Sequence, residues 1–556
     1  MQEQHKLNSN HLSLLNQKFG MKEFRRGQKE VIADILAGKD VMAVLPTGGG
    51  KSLCYQFPSV ALNKVVIVIS PLIALMNDQV YSLEKMGLNA GCIHSNQTVE
   101  EKKLIFAKLA QSQQFILYLS PERAMSEGFH QWLGHRNQTL KDIAMIAIDE
   151  SHCVSQWGHD FRQEYSQLGQ LRRVAPQLPI LALTASATPE VLQDIAKQLK
   201  LKNFRKHIHG FYRSNLFYQV ETCQDEDEKN LYILKSLQMF PKGRKIIYCS
   251  TRKTSEKLAE FLNQQLSKRN QSKSSFDVSS DVNTKVAVYH AGFSAEERDQ
   301  IQKDYQTGKT SILVATNAFG MGIDQPDVRL VIHYQMPGNI DSLYQEMGRA
   351  GRDGQDSTCL LLYTKADKSV QSYFLMKSGL AQDYKSARWD SFHSLVDYIE
   401  GSECRHNEIL TYFKDENRIQ KCGHCDICAK DSPRKIQLTT EDWTQLDTHG
   451  AQSQNSVAKS TKKSMQKKSQ NSNKEAVLDE LSPQQTLVFE YLKDWRRQKS
   501  KDMDIPAFMI LSDKSLRHLS QRMPSDNTSL AEVYGLGDRK IEIYGAEILQ
   551  KIKDCR

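Results

Sequence analysis

Leu45-Pro46-Thr47-Gly48-Gly49-Gly50-Lys51-Ser52 follows the apolar run Val41 to Val44, and its reading decides how the rest of the chain is understood. The run has the length of a short buried strand. The segment after Ser52 is helix-competent as far as Pro58, where the sequence predicts that the helix ends. A glycine-rich turn between a strand and a helix can aim successive backbone N–H groups at a triphosphate, with Lys51 reaching the β and γ phosphates and the Ser52 hydroxyl on Mg²⁺. The spacing fits G-x-x-x-x-G-K-[ST] except that Leu45 stands at the first glycine. Glycine-rich turns also serve as plain connections, so further motifs must decide.

With 556 residues, 39 % hydrophobic and 25 % charged, the chain has the composition of an ordinary soluble protein too long for one core. Neither end reads as a targeting peptide, and no run approaches the roughly 18 apolar residues of a membrane span. The expected compartment is the cytoplasm. The formal charge of +9 is modest. Lys459, Lys462, Lys463, Lys467, Lys468 and Lys474 concentrate in a Ser/Gln/Asn-rich stretch, a basic linker able to touch phosphates without reading sequence. Of the 11 cysteines, four fall in one cluster with metal spacing, which favours a reducing compartment over a disulfide framework.

Outward from the loop, other apolar runs end in small polar turns, the pattern of an α/β sheet that binds ligand at its carboxyl edge. Val65–Ile69 leads into Ser70-Pro71-Leu72, and Phe115–Leu119 into Ser120-Pro121-Glu122-Arg123. Ile143–Ile148 runs into Asp149-Glu150-Ser151-His152, a carboxylate one strand over from the phosphate loop where Mg²⁺ is held, beside a Glu able to orient water. Leu181-Ala182-Leu183 repeats the arrangement before Thr184-Ala185-Ser186-Ala187-Thr188. Between the last two, Trp157 and Phe161 beside Arg162 could stack bases and contact backbone phosphate, or could be core aromatics. Upstream, Phe24-Arg25-Arg26-Gly27-Gln28 offers an amide, Gln28, able to pair with N6 and N7 of adenine; by itself the phrase is equally a surface helix start.

In their order these phrases resemble the motif series of superfamily 2 helicases, and the aromatic stretch Ser155–Arg162 resembles the RecQ DNA helicases in particular. The resemblance implies two tandem RecA-like domains with parallel sheets. The second half agrees with it. Lys245–Thr251 reads as strand and turn, Lys253–Leu262 as a helix, and residues 267–285 as an exposed polar insertion. Ile312–Ala315 leads to Thr316-Asn317-Ala318-Phe319-Gly320-Met321-Gly322-Ile323-Asp324. After Val328–Ile332 comes Tyr344-Gln345-Glu346-Met347-Gly348-Arg349-Ala350-Gly351-Arg352, whose two arginines read as reaching across to the γ phosphate, so that hydrolysis depends on domain closure.

Cys404, Cys422, Cys425 and Cys428 give C-x17-C-x2-C-x2-C, four thiolates for a structural Zn²⁺, with His406 and His424 near enough to compete as ligands. Residues 431–480 read as a disordered, lysine-rich linker. From Leu481 helical patterning returns, with Leu487, Tyr491 and Trp495 at four-residue steps, then Leu511, Leu516 and Leu519; this tail is similar to the small helical HRDC domain. The domain reading is 1–207 and 208–365 for the two RecA-like domains, 366–430 for the zinc subdomain, 431–480 for the linker and 481–556 for the helical bundle.

The resemblance further implies site residues. Arg25, Gln28, Thr47, Gly48, Gly49, Gly50, Lys51, Ser52 and Asp324 would hold the Mg²⁺–ATP. Lys51, Asp149, Glu150, Gln345, Arg349 and Arg352 would carry hydrolysis. His152, Thr184 and Thr188 would couple it to Trp157, Phe161 and Arg162 on DNA. The chain departs from the family at Met21, where an aromatic residue on adenine is common, and at Arg26 and Gln163, where proline is usual. The stretch 431–480 is also too short for the winged-helix domain that often precedes HRDC. The implied function is an ATP-dependent DNA helicase moving 3′ to 5′ on single-stranded and branched DNA in recombination and repair, with single-strand-binding protein and recombination factors as partners and no membrane. Rival readings are an RNA helicase and a non-motor annealing or scaffold protein.

Overall fold

The computed structural model describes residues 7–155, 162–272, 285–320, 325–377, 382–440, 442, 482–503, 510–511, 513–531, 533, 536 and 538–554. Trp157, Phe161, Asp324 and the lysines of 459–474 lie outside them. The chain forms two units, Met1–Gln445 and Leu446–Arg556.

The first unit is built on two parallel sheets. Strands β1 (Val41–Val44), β2 (Val65–Ile69), β3 (Ala90–Ile93), β4 (Phe115–Leu119), β5 (Ile143–Ile148), β6 (Ile180–Thr184) and β7 (Arg205–Ile208) make a seven-stranded sheet in the order β3-β4-β2-β5-β6-β1-β7. Strands β8 (Leu216–Thr222), β9 (Arg244–Tyr248), β10 (Val286–Tyr289), β11 (Ile312–Ala315), β12 (Val328–His333) and β13 (Ser357–Tyr363) make a six-stranded sheet in the order β10-β11-β9-β12-β13-β8. Helices cover both faces, so the central strands are near-continuous aliphatic runs; β2 and β4 are buried at every residue. Edge strand β7, Arg-Lys-His-Ile, is half exposed and charged, which is why hydrophobic periodicity does not reveal it.

The sheet order revises one sequence expectation. β6 lies between β5 and β1, so Asp149 emerges two strands from the phosphate loop rather than one, with Thr184 at the end of the strand between them. The helix after the loop runs Leu53–Leu62, straight through Pro58. Burial of Tyr55 and Phe57 on its core side offsets the roughly 3 kcal/mol that an interior proline costs. The helix expected at Lys253–Leu262 spans Arg252–Ser272, taking up the first residues assigned to a loop insertion. β7 belongs to the first sheet to its end at Ile208, and the joint between the two domains is therefore 209–215 rather than the 207/208 boundary.

After β13, helices Lys365–Lys377, Gln382–Glu400 and Arg405–Tyr412 lead to the cysteine cluster. The expected linker from 431 starts too early. Ile436 is fully buried, exchanges two hydrogen bonds with the Gln219 side chain (2.7 and 2.8 Å), and is followed by an ion pair of Asp442 with Lys235 at 2.9 Å. An apolar residue and two well-placed polar partners strap this segment to the second sheet despite its polar composition.

In the second unit, helices Pro483–Met503, Asp513–Arg522, Asn527–Ala531 and Asp538–Asp554 pack around a separate core. The buried stripe of the first helix is Val488, Leu492 and Trp495. Leu487 and Tyr491 of the expected stripe are 60 % and 41 % exposed, because the core-facing side is set by the neighbouring helices one residue further on.

Candidate active site

Three adjacent strands deliver the chemistry to one edge. β1 ends in the phosphate loop, where Gly48 and Gly50 have φ of +80° and +76°, a region that favours glycine. β6 ends at Thr184, and β5 at Asp149. Asp149 is 5 % exposed. Burial, and secondarily the charge of Glu150, push its carboxyl up to about 7, while Lys51 pulls the other way. A buried carboxylate whose charge is disfavoured by burial gains from a neighbouring cation, which suits a Mg²⁺ ligand, and Ser52 lines the same cavity.

Glu150 adopts φ +47°, rare for a residue with a Cβ, which turns its carboxylate into the cleft. One oxygen lies 3.8 Å from Lys51 Nζ and the other 3.3 Å from His152 Nδ1, itself 3.0 Å from Thr184 Oγ1. Thr184 Oγ1 donates to Ser186 O at 3.0 Å, and Thr188 caps the next helix, Pro189–Gln198. The structure thus brings together Lys51, Glu150, His152 and Thr184 in one chain of contacts. Glu150 faces a cavity of about 490 Å³ that is also lined by Lys51, Ser52 and Asp149. His152 faces a second cavity, of about 740 Å³, lined by Thr188, Asn339, Phe374, Arg388 and Tyr412.

The far wall of the smaller cavity comes from the second domain: Gln345, Arg349 and Arg352. The two arginines are not equivalent. Arg349 is buried and reaches back over Gly320 and Tyr248 of its own domain. Arg352 lies across the cleft against Gly48, its Cγ 3.3 Å from where a Cβ would sit, and a Cβ at Gly348 would fall 2.9 Å from Thr47 Oγ1. The phosphate loop and the arginine turn therefore meet through their glycines, a closeness that larger residues would prevent.

Gln28 is 1 % exposed, and both ends of its amide are engaged by the chain. Oε1 accepts from Arg25 N at 2.8 Å, and Nε2 donates to Gly50 O at 2.9 Å. Arg25 donates to Gly48 O at 2.6 Å. In this arrangement both residues brace the loop, so reading adenine would require the Gln28 amide to change partners. Met21 is exposed. Arg162 donates to Pro71 O at 3.2 Å, joining the last residue of the aromatic stretch to the turn after β2.

The sulfurs of Cys404, Cys422, Cys425 and Cys428 lie within 4.8 Å of one another. Backbone N–H groups point at two of them, His424 N at Cys422 Sγ (3.3 Å) and Cys428 N at Cys425 Sγ (3.4 Å), an arrangement that favours thiolates. The histidines form a second such group, His406, Cys422 and His424, around the shared Cys422. His406 Nε2 and His424 Nδ1 both lie about 3 Å from Leu216 O, so both carry the hydrogen, and His424 Nε2 then accepts from the Tyr212 hydroxyl at 2.7 Å. The donor set fits a four-thiolate zinc site. The same segment covers the outer edge of β8: Cys425 bridges Tyr218, Asp426 N donates to Tyr218 O, and Val220 N to Asp426 Oδ2.

Arg213, in the joint between the domains, has no sequence signal that marks it. It has no motif spacing, and only the folded chain brings it to the cleft.

Comparison with known proteins places family models in the same order along the chain. The DEAD/DEAH box helicase model matches residues 25–195 and the helicase conserved C-terminal domain 228–354. RecQ zinc-binding matches 365–429, and the HRDC domain 485–552. The ATP-dependent DNA helicase RecQ of Haemophilus influenzae is 33 % identical across 98 % of this chain and 96 % of its own length. That of Bacillus subtilis is 32 % identical across 97 % and 98 %. Among solved structures, the DUF1998 helicase MrfA bound to DNA superposes with a TM-score of 0.51 at 20 % identity over 68 % of this chain and 54 % of that one, a likeness of fold. Among the described residues no helix is long and apolar enough to cross a membrane.

Proposed function

The chain belongs to the RecQ family and is an ATP-dependent DNA helicase; we propose that it drives strand separation by closing the Gly348–Arg352 turn of the second domain onto a nucleotide held by the phosphate loop of the first. In this reading Thr47–Ser52 cradle the phosphates, Asp149 and Ser52 would hold Mg²⁺, and Glu150 orients the attacking water. Bound there, Mg²⁺ would supply charge neutralisation. Arg352 faces the γ phosphate and Arg349 supports it, with Gln345 on the same wall. Arg25 and Gln28, with Asp324, serve the nucleotide from outside the loop.

The observation that carries this reading is the contact of Arg352 with Gly48 across the cleft. The stem of Arg352 packs against the loop of the other domain and its side chain lines the same cavity, which supports a stabilisation of transition-state charge that depends on closure. Occupancy of the site reaches DNA through Glu150, His152 and Thr184. His152 and Thr188 look onto the larger cavity, where Phe374, half exposed, offers a ring face to a base. Trp157, Phe161 and Arg162 contact the strand from the first domain, and Cys404, Cys422, Cys425 and Cys428 bind a structural Zn²⁺. The enzyme works in the cytoplasm, 3′ to 5′ on single-stranded and branched DNA, alongside single-strand-binding protein and recombination factors.

The test is ATP hydrolysis with single-stranded DNA and RNA side by side, together with unwinding of duplexes carrying a 3′ or a 5′ tail. The expected result is stimulation by DNA and opening of the 3′-tailed duplex. Stimulation by RNA alone, or opening only of the 5′-tailed duplex, would overturn the substrate or the direction.

A further inference from the structure

Arg213 belongs to neither set of residues assigned above. It stands in the joint 209–215 between β7 and β8, and its guanidinium lies between the phosphate loop and the arginine turn. One terminal nitrogen donates to Thr47 O at 2.9 Å and to Gly348 O at 3.4 Å. The other donates to Ala350 O at 3.0 Å and Gly351 O at 3.1 Å. A single side chain thus holds one carbonyl of the first domain and three of the second. Carbonyl oxygens converging from two surfaces repel each other unless a donor stands between them, and the rigid fork of a guanidinium can serve several at once.

The joint starts against the first domain, where His209 N donates to Val44 O at 3.0 Å, and from Phe211 on it is tied to the second domain and the zinc subdomain. Phe211 is buried and stacks on Phe413 with ring centroids 4.2 Å apart and planes 9° apart. Its N–H donates to Asp415 Oδ2 at 3.1 Å, and its carbonyl accepts from the Tyr344 hydroxyl at 3.3 Å. Asn215 Nδ2 donates to Gly351 O and Gln355 O, both at 2.9 Å. Arg213 therefore projects from a base fixed at Phe211 and Asn215, and of its four acceptors only Thr47 O belongs to the first domain.

We propose that Arg213 seats the Gly348–Arg352 turn on the phosphate loop. It is a positioning residue: it sets where Arg349 and Arg352 stand without touching the nucleotide. The inference rests on the cross-domain role proposed above for Arg352, which Arg349 supports. Removing the guanidinium leaves four carbonyl oxygens facing one another, and water then separates the surfaces. A displacement on the order of 1 Å at a reacting centre costs about 10²-fold in rate.

The experiment compares full-length parent, Arg213→Ala, Arg213→Lys, Arg352→Ala and the Arg213→Ala/Arg352→Ala double variant. It measures hydrolysis at saturating ATP and single-stranded DNA, affinity for a fluorescent ATP analogue, and trapping of ADP with aluminium fluoride. Arg213→Ala should lose about 10²-fold in kcat and fail to trap the fluoride complex, with analogue affinity within about threefold of the parent. Arg213→Lys, a single point charge, should recover part of the loss and keeps the test open should the alanine variant not fold. Because Arg213 acts through the turn, the double variant should be no slower than Arg352→Ala by more than about threefold. Turnover of Arg213→Ala within about twofold of the parent, multiplying losses in the double variant, or a fall in kcat matched by an equal fall in analogue affinity would each overturn the proposal. Normal turnover of Arg352→Ala would instead remove the arginine assignment on which it rests, a distinguishable failure.

Discussion

Replacing Cys425 by serine should break more than a metal site, because the cysteine segment forms part of the second sheet's edge. β8 is the terminal strand of that sheet, and its outer side would present unpaired backbone groups. Four hydrogen bonds from residues 406–426 cover it: His406 and His424 to Leu216 O, Asp426 N to Tyr218 O, and Val220 N to Asp426 Oδ2. At about 1 kcal/mol net for each bond these contribute roughly 4 kcal/mol. Structural zinc contributes about 10–16 kcal/mol in small zinc domains, and a zinc held by these four cysteines would order the segment that makes them. Either figure is large beside the 5–15 kcal/mol or so by which proteins are stable. The Arg405–Asp426 ion pair, buried on both sides, would also be pulled apart and leave an unpaired charge. Cys425→Ser should therefore lose zinc by elemental analysis, become cleavable by protease between 404 and 436, and associate in a concentration-dependent way by light scattering as β8 finds strand partners. Loss of ATPase should follow loss of folding. A zinc-free variant that stays monomeric, protease-resistant and as thermally stable as the parent would refute the reasoning.

Arg352→Ala should leave ATP binding nearly intact while hydrolysis falls by about 10³–10⁵-fold, the range of arginine fingers, and by less if Arg349 substitutes; normal turnover of the Arg349/Arg352 double alanine variant would exclude the assignment. The nucleotide-free protein should lose stability as pH rises, because Asp149 titrates near 7 when folded against about 3.9 for a free carboxyl. An acid with a raised folded pKa favours the fold below its ordinary value and surrenders that contribution as pH climbs to the folded value. Glu150→Gln removes the second cause of the shift, so thermal scans between about pH 5 and pH 8 should show a shallower decline than the parent; parallel curves would contradict this. A chain ending after Gln445 should keep DNA-stimulated ATPase, bind DNA more weakly and lose part of its salt dependence as phosphate contacts go. One ending at Lys430 should in addition melt earlier, since it lacks Ile436 and Asp442; identical melting of the two would show that the strap contributes nothing.

What the sequence by itself determined was local. Aliphatic runs such as Val65–Ile69 and Ile143–Ile148 are strands because burial on both faces leaves no place for a polar residue. Thr47–Ser52, Asp149–His152 and the cysteine spacing could be read because each is a contiguous or near-contiguous chemical unit. Tertiary structure decided everything that depends on which segments become neighbours. Sheet order placed β6 between Asp149 and the loop. Packing carried a helix through Pro58 and turned Val488 and Leu492 inward in place of Leu487 and Tyr491. Residues 431–440, polar enough to read as a linker, are held by one buried isoleucine and a glutamine more than two hundred residues away in the chain. Arg213 carries no signal of its own, since an arginine in a short connection is unremarkable until four carbonyls from two domains converge on it. Hydrophobic periodicity and motif spacing are properties of a few consecutive residues, whereas contacts across a domain cleft are set by the approach of surfaces that no stretch of sequence contains.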